Sequence, residues 1–420
     1  MRQDLIDQAY DVMRHNDRGT YTVPTHGLYP FQWNWDSALS ALGFAHFDES
    51  RAWTELETLF AHQWDDGMVP HIIFHKEDDG YFPGADVWRT GRPVPTSGIT
   101  QPPVAGFAMR RIFDRSREKE AVIDRVRALL PKVHAWHRWF HASRDPQAAG
   151  LVAVIHPWET GRDNSVDWDD AFTRVPVEGV EPFQRRDTSH TDPAHRPTDE
   201  QYKRYVYLLQ LFRGLGWDNS RLHDASPFQV VDPGFNAILI RSCADLAVLA
   251  QELGETDIAR ESRAFADRGI DAMESLWDEG LGQYACFDRI KDALVQSPSI
   301  GGLLAAFCAI PAGRAACIAR RIEALAHSAR FMVPSHDPLA PDYDGKRYWR
   351  GPVWLVVNYM IADGLHAAGQ TEIARRIASD SLRLIEQSGF AEYYDPMTGE
   401  ACGGGNFTWT AAMVIEFLKL

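Results

Sequence analysis

Two acidic stretches set among aromatic residues hold the chemistry of this chain: HPWETGRDNSVDWDD at 156–170 and FAEYYDPMTGE at 390–400. Paired carboxylates can divide the proton transfers of acetal cleavage, one protonating the departing oxygen and the other taking a proton from water. The rings of Trp158, Trp168, Tyr393 and Tyr394 beside them offer flat surfaces for the apolar faces of a sugar. The combination predicts a glycoside-cleaving site. In the first stretch Glu159, Asp163, Asp167, Asp169 and Asp170 are all candidates. Pro157 and Gly161 predict an irregular turn that throws one carboxylate toward a cleft, but spacing alone does not choose which. The second stretch offers Glu392, Asp395 and Glu400, followed by CGGGNF at 402–407. The plainer readings are a solvated acidic loop for the first and a Gly-rich turn between helices for the second.

Helices must position these groups. Apolar residues recur at three- and four-residue spacing in 3–15, 36–47, 51–62, 98–113, 118–142, 199–214, 235–253, 256–277, 297–309, 312–327, 352–368, 371–388 and 407–419, with few convincing strands. That is roughly a dozen helices, the number needed for six helical hairpins, and no fixed-period repeat suggests an open solenoid. The expected fold is all-α: an (α/α)6 barrel with long loop insertions that form a cap over the active-site end. Residues 64–97 and 176–198 are those insertions, rich in Pro and Gly or lacking helical period, and connections of such length are often lids or binding loops. Tyr81, Phe82, Trp88 and Phe183 within them argue against free tethers. The whole of 1–420 is therefore read as one catalytic domain.

Composition narrows the function further. With 45% hydrophobic residues and 14 tryptophans in 420 residues, the chain can bury a large core. The formal charge of −15, from 58 acidic and 43 basic residues, would repel phosphate backbones and anionic lipid surfaces, so neither nucleic acid nor a membrane is an expected partner. Asp4 and Asp7 stand where a signal peptide would be apolar. The five cysteines are scattered, never in a CxxC pair, which suggests neither a disulfide framework nor a zinc cluster; a reducing cytoplasm fits best. Self-association into a homo-oligomer stays open.

The segments YPFQWNWDSA (29–38), GMVPH (67–71), SGITQPP (97–103), ETGRDNSVDWD (159–169), DPGFNA (232–237), YWRGPVW (348–354) and AEYYDPMTGE with NFTWTAA (391–400, 406–412) resemble those of the family-63 glycoside hydrolases, in order and over nearly the whole chain. The resemblance implies an (α/α)6 barrel and inverting hydrolysis of an α-glycoside, with Asp163 as general acid and Glu392 as general base. Within that family the chain is similar to the short bacterial branch that hydrolyses glucosylglycerate and mannosylglycerate. By the same resemblance Trp35 and Asp36 contact the sugar, and Tyr348, Trp349, Arg350, Gly351 and Trp354 form another wall. His71 lies near sugar or aglycone, and Tyr29, Tyr81 and Gln101 fix glycerate or close over it.

For the acid role Asp163 must be protonated, which desolvation or the nearby Glu159 and Asp167 carboxylates would favour, whereas Glu392 must stay ionised. Glycerate carries a carboxylate, so an acidic protein must concentrate positive charge where it binds. Arg204, opening the 199–214 helix directly after a long loop, is the expected ligand. His71 and His75 are four apart, a spacing that can bind zinc on a helix, but Pro70 and the lack of a third ligand argue against it; neither metal nor cofactor is expected. The alternatives are an exo-acting α-glucosidase for neutral small glycosides or disaccharides and, in another class, a helical-barrel sugar epimerase using histidine proton shuttles, which the two acidic motifs disfavour.

Overall fold

A computed structural model describes residues 2–186 and 192–419, and within them two burial patterns build two kinds of helix. Some helices are buried on every side: all of Asn34–Phe44 and the unbroken runs Leu355–Leu365 and Thr408–Leu418. Others bury a single stripe, as Thr371–Ser388 does through Ile373, Ala374, Ile377, Asp380, Ser381, Leu384 and Ile385. A helix apolar all round belongs inside a second layer, and one with a stripe belongs outside it.

The barrel helices alternate between these layers along the chain. They are α1 (Arg2–Asn16), α2 (Asn34–Phe44), α3 (Glu49–Ala61), α4 (Ala105–Arg115), α5 (Lys119–Arg144), α6 (Pro233–Glu252), α7 (Thr256–Met273), α8 (Ile300–Leu304), α9 (Ala312–Leu325), α10 (Leu355–Ala367), α11 (Thr371–Ser388) and α12 (Thr408–Lys419). The even-numbered helices pack in sequence, α2 on α4, α4 on α6, α6 on α8, α8 on α10, α10 on α12, and α12 back on α2. This closes an inner ring of six helices. The odd-numbered helices flank it, and α1 packs on α12 to form the remaining hairpin. The architecture is the expected (α/α)6 barrel. The helix α6 is long and apolar enough to cross a membrane by length and composition, and here it is a buried inner stave.

Three boundaries differ from the periodicity. Residues 98–104 are not helical and α4 starts at Ala105, because Pro102 and Pro103 disfavour helix in the residues before them. The predicted 297–309 helix shrinks to α8 and a 3-10 continuation at Ala305–Phe307. The predicted 256–277 helix stops at Met273 and gives way to a short 3-10 turn and the strand Trp277–Asp278. The 199–214 helix forms as Asp199–Gly214, opened by a Thr198–Gln201 capping box, but it lies outside the ring.

One end of the barrel is closed by a buried charge network near the C-terminus of α12. Glu416 accepts both terminal guanidinium nitrogens of Arg115, bonds the His46 ring nitrogen and accepts the Tyr359 hydroxyl. Despite burial these partners hold its pKa down to about 2. The opposite end carries the loops. There Trp33 and Ile72 pair across a two-residue antiparallel ribbon, the Asn34 N–H donates to the His71 carbonyl, and the His71 N–H donates to that of Ile99. These bonds lace the connections entering α2 and α4 into one rim.

Candidate active site

The first acidic stretch lies in the connection between α5 and α6. Pro157–Thr160 forms a 3-10 turn, and the N–H of Trp158 in it is accepted by the His156 ring. Gly161 ends the turn at a φ of +69°, and a Cβ there would lie 2.6 Å from the Trp35 ring. Only glycine allows both the left-handed backbone and that approach. The next residue, Arg162, is locked in place: it is buried and pairs with Asp167 and Asp232 at 2.9 Å each, while its carbonyl accepts the Trp168 indole N–H. Asp163 is thereby turned into a cavity at the rim, and its carbonyl accepts the Tyr205 hydroxyl at 2.8 Å.

The fate of its neighbours explains why Asp163 stands apart in an acidic cluster. Glu159 is paired with Arg144, each 1% exposed. Asp167 is held by Arg162, Ser165 and Ser299. Asp169 pairs with Arg350, and Asp170 pairs with Lys291 at the surface. Of the five, Asp163 alone lines the cavity among the described residues. Glu159 and Asp167 each have their charge matched by a buried arginine.

The second stretch enters from the connection between α11 and α12. Its ribbon pairs Tyr393 with Cys402 and Tyr394 with Ala401, and the Glu392 N–H donates to the Gly404 carbonyl. The Glu392 carboxylate faces back into the cavity, where Oε2 accepts the Gly404 N–H at 3.0 Å and Oε1 accepts the hydroxyls of Tyr29 at 3.1 Å and Tyr348 at 3.3 Å. A Cβ on Gly403 would stand 2.3 Å from Oε2, so the Gly-rich CGGGNF segment is what lets the chain wrap the carboxylate. Burial raises the Glu392 pKa, and Arg196, the Gly404 N–H and the two hydroxyls oppose that rise. The largest single influence is desolvation, which disfavours the charge.

Residues from several loops complete the cavity. Tyr29, Trp35, Asp36, His71, Tyr81, Gln101 and Tyr348 line it together with Asp163 and Glu392. Trp35 and Asp36 sit in the first turn of α2, and the Gln101 carboxamide accepts the Trp35 N–H. Burial holds the Asp36 pKa well above the usual carboxylate range. It also lowers that of His71 to about 3, so the imidazole is neutral. His75 bonds Gln32 instead and stacks on Tyr21. The two histidines flank the strand Ile72–Ile73 rather than sharing a helical face.

Five expected ligands lie elsewhere. Trp349 and Trp354 stack at 3.9 Å with an interplanar angle of 3°, and Trp354 lies on Tyr393. Arg350 is taken by Asp169, and Gly351 packs tightly against the Asp344 carbonyl. These four stand behind the wall that Tyr348 presents, joined to the Glu392 ribbon through the paired Val353 and Tyr394. Arg204 also lies away from the cavity lining. Its guanidinium donates to the carbonyls of Phe172, Thr173 and Val175 and to Glu200, so it anchors the preceding loop onto its own helix.

The basic residues that do line the cavity are Arg186 and Arg196, both from the 176–198 segment, in which 187–191 lie outside the described residues. Arg196 is buried, donates to the Tyr29 hydroxyl at 3.2 Å and lies 4.3 Å over the Tyr348 ring. Sequence reasoning passed over it because it falls in an irregular stretch with several other charges. Trp33, Trp158, Tyr202, Phe407 and Trp409 add aromatic walls. Among the described residues the cavity thus presents three acidic groups, two arginines and a belt of rings, the composition of a sugar site with one charged end.

Similarity to known proteins runs the length of the chain. Residues 29–410 match the family described as the mannosylglycerate hydrolase MGH1-like glycoside hydrolase domain. The mannosylglycerate hydrolase of Thermus thermophilus is 46% identical, over 98% of this chain and 100% of the relative. The glucosylglycerate hydrolase of Mycolicibacterium hassiacum is 34% identical, over 99% of this chain and 97% of the relative. The crystal structure of a GH63 mannosylglycerate hydrolase from Thermus thermophilus, in complex with Tris and D-glycerate, superposes with a TM-score of 0.96 at 45% identity, covering 99% of this chain and 100% of that one. With the motifs, the barrel and the cavity in agreement, this chain belongs to the MGH1-like family of glycoside hydrolases.

Proposed function

We propose that the chain hydrolyses a hexosyl glycerate, glucosylglycerate or mannosylglycerate, to the free hexose and glycerate with inversion at the anomeric carbon. The observation that carries this reading is the buried Arg196 beside a pair of carboxylates from different hairpins, inside an aromatic cavity. A neutral disaccharide gives no reason to bury a guanidinium at the substrate's end, whereas a short carboxylate aglycone does. Relatives named for both glycosides support the substrate class.

In this mechanism Asp163 protonates the glyceryl oxygen as the bond from the anomeric carbon breaks and its electron pair leaves with that oxygen. Water attacks the opposite face, and Glu392 takes its proton. Trp35, with Trp409 edge-on at 5.3 Å, supplies an apolar platform, and Asp36 accepts sugar hydroxyls. Tyr29, Tyr81 and Gln101 surround the aglycone, His71 contributes as a neutral imidazole, and Arg196 holds the glycerate carboxylate in the role expected of Arg204. The 64–97 and 176–198 segments act as a cap within a single catalytic domain: Gly80, Tyr81, Phe82 and Pro83 of one and Arg186, Arg196 and Pro197 of the other line the cavity. A cytoplasmic location fits the five free cysteines.

The deciding experiment is proton NMR of the anomeric signals with glucosylglycerate, mannosylglycerate and a neutral α-disaccharide in parallel. Rapid appearance of β-hexose from a glycerate compound is expected. Initial α-hexose would overturn the acid and base roles, and release from the disaccharide alone would overturn the aglycone.

A further inference from the structure

Arg196 reaches the proposed base through a phenol and also lines the place where the aglycone would sit. Its guanidinium donates to the Tyr29 hydroxyl at 3.2 Å, and Tyr29 in turn donates to Glu392 Oε1 at 3.1 Å. The same guanidinium covers the ring of Tyr348, whose hydroxyl is the second phenol on Oε1. The phenols are buried beside Glu392 and keep their protons, so both hydroxyls serve as donors. After burial, the charge of Arg196 is the largest influence on the Glu392 carboxylate, and it favours the ionised form.

From this chain we infer that the aglycone's carboxylate controls the base: when it docks on Arg196 it cancels the positive charge that supports Tyr29 and Glu392, and Glu392 then binds its proton more tightly than in the empty enzyme. The inference rests on the reading of Arg196 as the carboxylate's ligand. Its consequence is kinetic. A carboxylate with greater proton affinity is a stronger base toward the attacking water, so the right aglycone sharpens catalysis as well as binding. A neutral glycoside of the same shape leaves Arg196 supporting Glu392 and meets a weaker base. Recognition of the acid group therefore appears in kcat as well as in KM.

Other groups face Glu392 and must be separated from it. Tyr29 and Asp36 come from the segment entering α2, Tyr81 from the 64–97 loop, Tyr348 from the segment before α10, and Tyr393 and the Gly404 N–H from its own loop; Asp163 and Arg186 share the cavity. The tyrosines stay neutral near pH 7. Asp36 is the rival proton acceptor, because burial already raises its pKa.

The test is calorimetric titration of the intact enzyme with D-glycerate, at weakly acidic pH, in buffers of different ionisation enthalpy, which counts protons taken up on binding. Loss of one nearby cation's influence raises a carboxylate pKa by about one unit or more, so uptake of a substantial fraction of a proton is expected in the wild type and none in Glu392→Gln. Glycerate binding without proton uptake would overturn the inference and leave the proposed function standing. Uptake that persists in Glu392→Gln would assign the proton to another carboxyl of the cavity, Asp36 or Asp163, and also overturn it. No binding of glycerate by either protein would overturn the inference together with the reading of Arg196. A kinetic measurement tests the same link independently. With a glycerate glycoside the acidic limb of kcat should lie about one pH unit above that of kcat/KM, whereas with the matching glycerol glycoside the two limbs coincide; coincident limbs with both substrates would refute the coupling.

Discussion

Replacing Gly161 by alanine isolates the contact that aims the first acidic loop. Two costs add there. The backbone sits at a φ of +69°, and a Cβ in the left-handed region costs about 1–2 kcal/mol. The new carbon would stand 2.6 Å from Trp35 Cζ2 and 2.9 Å from two further ring atoms. Carbon contacts are comfortable at about 3.5 Å, so ring and turn must part by roughly 1 Å, and overpacking of this kind costs about 1–3 kcal/mol. Trp35 is backed by the edge of Trp409 and lines the cavity with Gly161 and Asp163, so the displacement falls on the proposed sugar platform or on the proposed acid. A misplacement near 1 Å lowers turnover by about 100-fold. Gly254→Ala is the control, because Gly254 has a φ of +79° with open space around it and lies in the turn between α6 and α7. Both variants should lose the backbone increment in thermal unfolding. Gly161→Ala alone should lose kcat, measured by anomeric NMR on the glycerate glycoside. Equal kcat in the two variants would refute the reasoning.

Asp163→Asn and Glu392→Gln should each lower kcat by about 100- to 10,000-fold, the usual contribution of a general acid or base, with the melting temperature little changed. Near wild-type turnover in either would remove that residue from its role. Arg196→Ala should cost roughly 10- to 100-fold in kcat/KM for the glycerate glycoside, as loss of a charge-assisted contact does, while Arg204→Ala leaves kcat/KM unchanged; the reverse pattern in steady-state kinetics would restore Arg204 as the ligand. Glu159→Gln leaves Arg144 buried without its carboxylate and should destabilise the protein by about 3–5 kcal/mol in equilibrium unfolding. A loss below about 1 kcal/mol would show that the Arg144 charge is matched by other groups.

The helical frame was open to reading in the sequence because its signal is local. Period and punctuation placed the barrel helices within a few residues, and errors fell where backbone chemistry overrides pattern. The Gln101, Pro102 and Pro103 run keeps helical spacing but is barred from helix by its prolines. That failure matters because the extended backbone there brings Gln101 to the Trp35 N–H. Residues 297–309 are apolar enough for a longer helix than they form. The aromatic reading met a different limit. Trp35 and Trp354 both stand at the start of apolar helical runs, yet one faces the cavity and the other stacks behind it. Sequence spacing does not tell the lumen of a barrel from the layer around it.

Charge was the least legible property, and the reason is geometric. Glu159, Asp163, Asp167 and Asp169 crowd into one short stretch, so their neighbours in sequence suggest mutual repulsion. Their partners come from near and far: Arg162 meets Asp167 across five residues and Arg144 meets Glu159 across 15, while Arg350 joins Asp169 across 181 and Asp232 completes the Arg162 pairing across 70. Those arginines convert most of the acidic cluster into scaffold. A search by sequence therefore overcounts acids in the loop and overrates a conspicuous arginine such as Arg204, whose bonds tie its helix to the loop before it. Arg196 stands out only once the long-range pairs are set aside, for then the cavity retains Asp36, Asp163 and Glu392 against Arg186 and Arg196. In a chain with a formal charge of −15, two guanidinium groups gathered at one cavity are what the proposed anionic aglycone would need in order to approach a pair of carboxylates. On the proposed reading Arg196 is the point at which binding and proton transfer meet.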